Sequence, residues 1–216
     1  MIPLRALLQR RSPAVMTLII IVVNVFCILL ELAQPSYLQS SFIQHYALIP
    51  DRPRLAPLIT SMFLHGGWFH LIGNMWFLWV FGSHIEDAMG TAKFLVFYLV
   101  CGVASAVVQT MLSLGSPIPT LGASGAIAGV MGAFLVLYPR VRVVTLIFII
   151  FFVTTVDIPA AFMLLYWFAI QLISGLSTVG SFTDSGGVAW FAHVGGFLAG
   201  ILLIRYFPGV RRRYIY

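Results

Sequence analysis

The sequence predicts an all-α polytopic membrane protein, with six transmembrane helices and a membrane-associated loop between helices 1 and 2. Hydrophobic residues make up 61% of the 216 residues and charged residues only 8%, against about 25% charged in an ordinary soluble domain. Mean hydropathy is +1.02, and the apolar residues fall in successive runs close to membrane length. No polar linker long enough to separate a pair of folding units interrupts those runs, so residues 1–216 read as a single domain without an internal repeat.

Val15 to Leu32 contains only Thr17, Asn24 and Glu31 as strongly polar interruptions and suits a spanning helix (15–32). Its apolar core exceeds a signal-peptide core and no small-x-small cleavage site follows, which predicts a retained anchor. Residues 34–67 differ, because Pro35, Pro50, Pro53 and Pro57 break them into pieces too short to span. They predict a folded loop resting partly in the membrane. Span two covers 68–85 and ends at Glu86-Asp-Ala-Met-Gly90; span three covers 94–112, before the turn at Gly115-Ser-Pro-Ile-Pro119. Span four, 124–138, is short for a hydrocarbon core of about 30 Å, which implies a thinned bilayer or a Ser124 lying below the surface. Residues 143–156 are β-branched and aromatic but too few to span, and predict an interfacial or re-entrant segment. Span five, 159–176, opens on Pro159, a residue suited to a first helical turn. Span six covers 189–207.

Charge supports the even count, since cytoplasmic flanks hold the excess Lys and Arg. With both termini inside, Arg5, Arg10, Arg11, Lys93, Arg140, Arg142, Arg205, Arg211, Arg212 and Arg213 share one side, leaving only Arg52 and Arg54 outside. A seventh span at 143–156 would turn the Arg211 to Arg213 cluster outward. The basic balance therefore reflects topology and anionic lipid, and nucleic acid is not an expected partner.

In this topology spans two, four and six start at a common outer level, and their polar residues lie at those starts. His70 and Asn74 stand one turn apart in span two, Ser124 opens span four, and His193 lies near the start of span six. Polar groups at membrane depth are costly and mark function. A serine hydroxyl is a weak nucleophile and needs a neutral imidazole to take its proton; His193 is the base by position. The free N–H groups at the start of the Ser124 helix, at the positive end of its dipole, are donors for a tetrahedral oxyanion, with His70 and Asn74 available as further donors. Glu86 and Asp87 fall at the opposite end and Asp184 in an outer loop, so the expectation is a Ser-His dyad without a carboxylate. Gly125 with Gly129, and Gly196 with Gly200, give small-xxx-small faces that let spans four and six cross closely.

Singly, each feature has a plainer reading: the glycines as packing, a lone His as a structural hydrogen-bonder, Ser124 as an N-cap. Their coincidence at one level points to acyl chemistry. His65 and His70 invite a metal, but no HExxH motif or ligating carboxylate accompanies them, so neither metal nor cofactor is expected. His65 reads as an organiser of the loop before span two, His45 and His84 as interfacial, and Cys27 and Cys101 as free apolar side chains. A transporter would place its polar groups near the midplane on repeated, broken helices.

Gly122-x-Ser124-Gly125, Ala192-His193-x-x-Gly196-x-x-x-Gly200 and His70-x-x-x-Asn74 together resemble the rhomboid family of intramembrane serine proteases. Glu86-x-x-x-Gly90 and His65 extend the likeness, which covers roughly Ser61 to Gly200. It implies a six-helix core of the basic bacterial type. Ser124 attacks the scissile carbonyl, His193 acts as general base and then acid, and His70, Asn74 and the Ser124 N–H hold the oxyanion. His65, Glu86, Gly122, Gly125, Gly129, Gly196 and Gly200 support that site. Substrates are single-pass transmembrane proteins, cut in the lipid bilayer within or next to their helix near the outer face. The resemblance also implies that span five and the loop before span six gate access, that no cofactor takes part, and that the protein resides in a plasma (bacterial inner) membrane with cytoplasmic termini. Relatives without protease activity lack the Ser or the His; this chain has both.

Two positions depart from the family. The places of a Trp-Arg pair in the first loop fall on Ala56 and Pro57, leaving Arg52 or Arg54 to anchor that loop. The place of a Tyr one turn after the nucleophile is Ala128, so another group must orient His193, with Trp190 and Phe197 as candidates. A substrate helix must unwind to expose a peptide bond, which favours Gly or Pro near the cut, each lowering that cost by about 1–3 kcal/mol.

Overall fold

The computed structural model describes residues 1–149, 152–177, 188–207 and 210. β1 (Ile2–Ala6) leads into α1 (Val15–Leu32), which coincides with the first expected span. The loop after it folds as α2 (Ser36–Tyr46) and a short α3 (Pro57–Thr60) that tightens into a 3-10 turn at Ser61–Phe63. Span two is one rod in three sections: α4 (Trp68–Phe77), a π-helical turn at Leu78–Gly82, and α5 (Ser83–Met89). α6 (Thr91–Leu112) and α7 (Ser124–Leu137) follow, then β2 (Arg142–Ile149), β3 (Phe152–Pro159), α8 (Ala160–Ser177) and α9 (Trp190–Leu203). Among the described residues α1, α6 and α8 are long and apolar enough to cross a membrane. Asp184, the Arg211 to Arg213 cluster and the centre of the loop before span six lie outside the described residues.

The three strands correct the all-α expectation and give 143–156 the form of a β-hairpin. They form one antiparallel sheet in the order β1-β2-β3, with Ala6 opposite Val143 and Arg142 opposite Pro159. Short apolar runs do not distinguish strand from helix by periodicity alone, and here the β-branched content decides. Val141, Val143 and Thr145 are buried while Arg142 is exposed, the period of two that a half-buried strand requires. The N-terminal residues supply the third strand, a partner that no local pattern announces.

α1 is inverted relative to a soluble helix. Its buried residues are Thr17, Ile20, Asn24, Ile28 and Glu31, whereas Leu18, Val22, Phe26 and Leu29 are at least half exposed, as befits a helix whose outer face meets lipid and whose polar groups turn inward. Its first turn is held from 70 residues away. Glu86 Oε1 accepts the Met16 N–H, and Oε2 accepts both the Thr17 N–H and hydroxyl, each at 2.8 Å. Asp87 Oδ1 accepts the N–H groups of Arg11 and Ser12 and the Ser12 hydroxyl, at 2.6–3.1 Å. The first N–H groups of a helix have no internal acceptor, and negative charge at that end is favourable. This gives the Glu86-x-x-x-Gly90 motif a physical role, with Gly90 supplying the left-handed φ of +86° that starts α6.

α7 lies at the centre, with eleven of its fourteen residues buried. At about 1.5 Å per residue it is about 21 Å long, short of a bilayer's hydrocarbon, and its surroundings are protein. α9 lies across it with backbone against backbone. A Cβ at Gly196 would overlap the Gly125 carbonyl, one at Gly200 the Gly129 carbonyl, and one at Gly132 the Phe197 carbonyl. In the first loop both arginines hold the end of α2. Arg52 donates to Gln44 Oε1 at 2.6 Å, and Arg54 donates to the carbonyls of Gln44 and His45 at 2.9 and 2.6 Å, a cationic C-cap. His45 is exposed, and His84 is buried in the protein beside Phe134.

Glu86→Ala removes the acceptor of two buried donors and one half-buried one and is expected to cost about 3 kcal/mol, read as a lowered thermal unfolding midpoint in detergent. Gly200→Ala forces α7 and α9 apart and should destabilise by about 1–3 kcal/mol. Gly73→Ala, in α4 where a Cβ meets nothing within 4 Å, should be neutral or stabilising; equal effects for the two glycines would refute the close-contact account.

Candidate active site

Ser124 is the first residue of α7, and its position is set by the segment before it. The Gly122 N–H donates to the Ser61 carbonyl at 2.9 Å, and Gly122 has φ +124°, a conformation open chiefly to glycine. A Cβ there would also collide with the His70 imidazole and approach Asn74 Nδ2. Gly122 thus lets the chain pass against His70 and Asn74 two residues before Ser124, and gathers three predicted site residues from two elements.

α9 brings the fourth. The Ala192 N–H donates to Gln109 Oε1 at 2.9 Å, and its carbonyl accepts the Ser105 hydroxyl at 2.7 Å. Two α6 side chains therefore clamp the residue before His193. Gly125 belongs to the same clamp, since a Cβ on it would strike Ser105 Oγ. With α7 and α9 in contact through Gly125, Gly129, Gly196 and Gly200, His193 Nε2 lies 2.7 Å from Ser124 Oγ.

The other imidazole nitrogen shows what takes the place of the tyrosine that Ala128 lacks. His193 Nδ1 lies 2.7 Å from Gln171 Oε1 on α8, and Trp167, one turn earlier, lies against the ring at 5.7 Å between centroids. Trp190 approaches edge-on at 6.4 Å. Phe197 instead packs on Trp167 and Phe168. Sequence reasoning misses Gln171 and Trp167. The available signal is Gln171 itself, a polar side chain inside an apolar span.

Asn74 is buried and its Nδ2 has no hydrogen-bond partner. An amide donor left so in a packed interior is costly, which marks it as a group awaiting an acceptor. His70 lies beside it, half-buried. His65 is 1% exposed and packs edge-on against His70 at 5.2 Å. Burial first, then the neighbouring His70, push its imidazole down to about 4, so it is neutral at pH 7. The Glu31 carboxylate at the end of α1 lies within electrostatic reach of the His65 backbone N–H.

Glu31 corrects one expectation, because an acidic residue does stand at the C-terminal end of span one, the end near His65. It lies near the His65 backbone, and the imidazole of His193 has a neutral amide as its partner. Among the described residues no group of three or more His, Cys, Asp or Glu is arranged to hold a metal ion, and Cys27 and Cys101 are free thiols.

The Rhomboid domain family matches residues 52–209. The mitochondrial presenilin-associated rhomboid-like protein of Bos taurus is 34% identical over 190 residues, 87% of this chain and 47% of the relative. The mitochondrial Rhomboid protein 1 of Saccharomyces cerevisiae is 29% identical over 171 residues, 74% of this chain and 45% of the relative. Rhomboid protease GluP of Bacillus subtilis is 40% identical over 78 residues, 36% of this chain and 15% of that protein. The chain thus spans about half the length of the mitochondrial relatives it matches. With motif, fold and similarity in agreement, this membrane protein belongs to the rhomboid family.

Proposed function

We propose that this protein is an intramembrane serine endopeptidase that cuts single-pass membrane proteins within or next to their transmembrane helix, near the outer face. The observation that carries the reading is the 2.7 Å separation between Ser124 Oγ and His193 Nε2, within a rhomboid domain. Ser124 Oγ–H gives its proton to Nε2 as Oγ attacks the scissile carbonyl. The resulting oxyanion is met by the Ser124 N–H at the start of α7, by Asn74 Nδ2 and by His70. Collapse expels the amine, which takes the proton from His193 and leaves an acyl-enzyme. Water, deprotonated by the same imidazole, then releases the acid product and regenerates Ser124.

The proposed setting is a plasma (bacterial inner) membrane crossed six times, with cytoplasmic termini and the site opening outward. Support comes from the inward bias of Arg and Lys and from the helices found at all six expected segments. α7 and α9 are too short to cross unaided, and in this reading the surrounding helices and the first loop cover their ends. Substrate reaches Ser124 from lipid, while water reaches it from the outer side. No cofactor takes part in these steps.

Purified protein in liposomes is expected to cleave a model single-pass substrate, and Ser124→Ala to abolish cleavage and fluorophosphonate labelling together. Cleavage by Ser124→Ala at the wild-type rate would overturn the assignment. Asn74→Ala should lower kcat by roughly 10²–10³-fold without lowering the unfolding midpoint, because it removes a buried donor that has no partner in the resting protein. Loss of stability in parallel with activity would make Asn74 structural instead.

A further inference from the structure

The Ser124–His193 pair poses a problem that its own two residues do not solve. A neutral imidazole carries one proton, and the reaction needs Nε2 bare and aimed at Ser124. The tautomer with the proton on Nε2, or a rotated ring, would be inert. In many hydrolases a buried carboxylate on the far nitrogen settles both matters. Here the far nitrogen meets an amide.

We propose that Gln171 is the positioning residue of His193, fixing the imidazole in its Nδ1–H tautomer and in line with Ser124. This rests on the protease reading above. The Gln171 side chain is itself buried, so water does not compete for His193. The direction of its amide is set by its other end: Nε2 donates to the Trp167 carbonyl, one turn back on α8, at 3.3 Å. That leaves Oε1 facing Nδ1 at 2.7 Å, where a carbonyl oxygen can only accept. The Nδ1 proton is thereby specified, and Nε2 is left as the acceptor of the Ser124 hydroxyl. Trp167 lies against the ring, so α8 controls both the edge and the face of the imidazole. A neutral acceptor suits the site, since a buried carboxylate at membrane depth carries a large desolvation cost.

A residue that only filled space would tolerate an apolar replacement of equal length. Gln171→Met keeps the volume and removes the acceptor. It is expected to lower kcat, and the rate of fluorophosphonate labelling of Ser124, by about 10²-fold, with KM changed by less than about twofold. Gln171→Glu keeps an acceptor oxygen in place and should recover at least about tenfold of that loss. Nitrogen-15 NMR of histidine-labelled protein should show His193 protonated at Nδ1 and bare at Nε2 in the wild type, and as a tautomer mixture in Gln171→Met. Wild-type kcat in Gln171→Met would overturn the proposal, as would a wild-type His193 protonated at Nε2, a measurement that does not depend on any variant folding. Failure of the protease reading looks different, because Ser124→Ala would then cleave and wild-type Ser124 would not label.

Discussion

α7 and α9 touch through their main chains, and the geometry of the site depends on that contact. Side chains on both helices would hold their axes several ångströms further apart. The glycines at 132, 196 and 200 remove those spacers, so carbonyl oxygens of one helix fill the space where Cβ atoms of the other would stand, while Gly125 and Gly129 make the same room for Ser105 and Cys101 of α6. In lipid no hydrophobic force presses two apolar helices together, and close packing is what remains. A serine and a histidine have short side chains, so a hydrogen bond between them demands neighbouring backbones. The 2.7 Å bond is therefore a property of the glycine seam before it is a property of the two residues.

Polar side chains then fix what the seam brings near. Ser105 and Gln109 hold the backbone of Ala192, and the Ser61 carbonyl holds Gly122. Each of these polar groups is buried in an apolar setting, where an unmet hydrogen bond is expensive and a met one is rigid. Asn74 stands apart, its donor unmatched at the level of the serine.

Much of this is legible in the sequence because membrane helices announce themselves by composition and glycine spacing by simple periodicity. α1 coincides with its predicted range, and Ser124, His193, His70 and Asn74 come together as helix starts at one level would place them. The sheet is not legible: 143–156 is as apolar as a helix, and the strand that pairs with β2 lies at the far end of the chain, at Ile2–Ala6. Gln171 escapes notice because a single amide in an apolar run shows no direction until the helix is rotated and docked. Glu31 stands out as polar but not as a neighbour of His65, since that approach is to a backbone N–H that no motif encodes. His84 lies near a helix end in sequence, yet the turn of the rod buries it against Phe134.

The cap on α1 has a consequence in time. The carboxylates that satisfy its first turn are Glu86 and Asp87, about 70 residues downstream, so during synthesis the first helix emerges from the ribosome long before its own starting point can be completed. Its leading N–H groups must stay with water or lipid headgroups until the second hydrophobic rod has been made and laid alongside. Threading and folding are thus separate events for this helix: it can be inserted alone, but it is finished only as half of a pair.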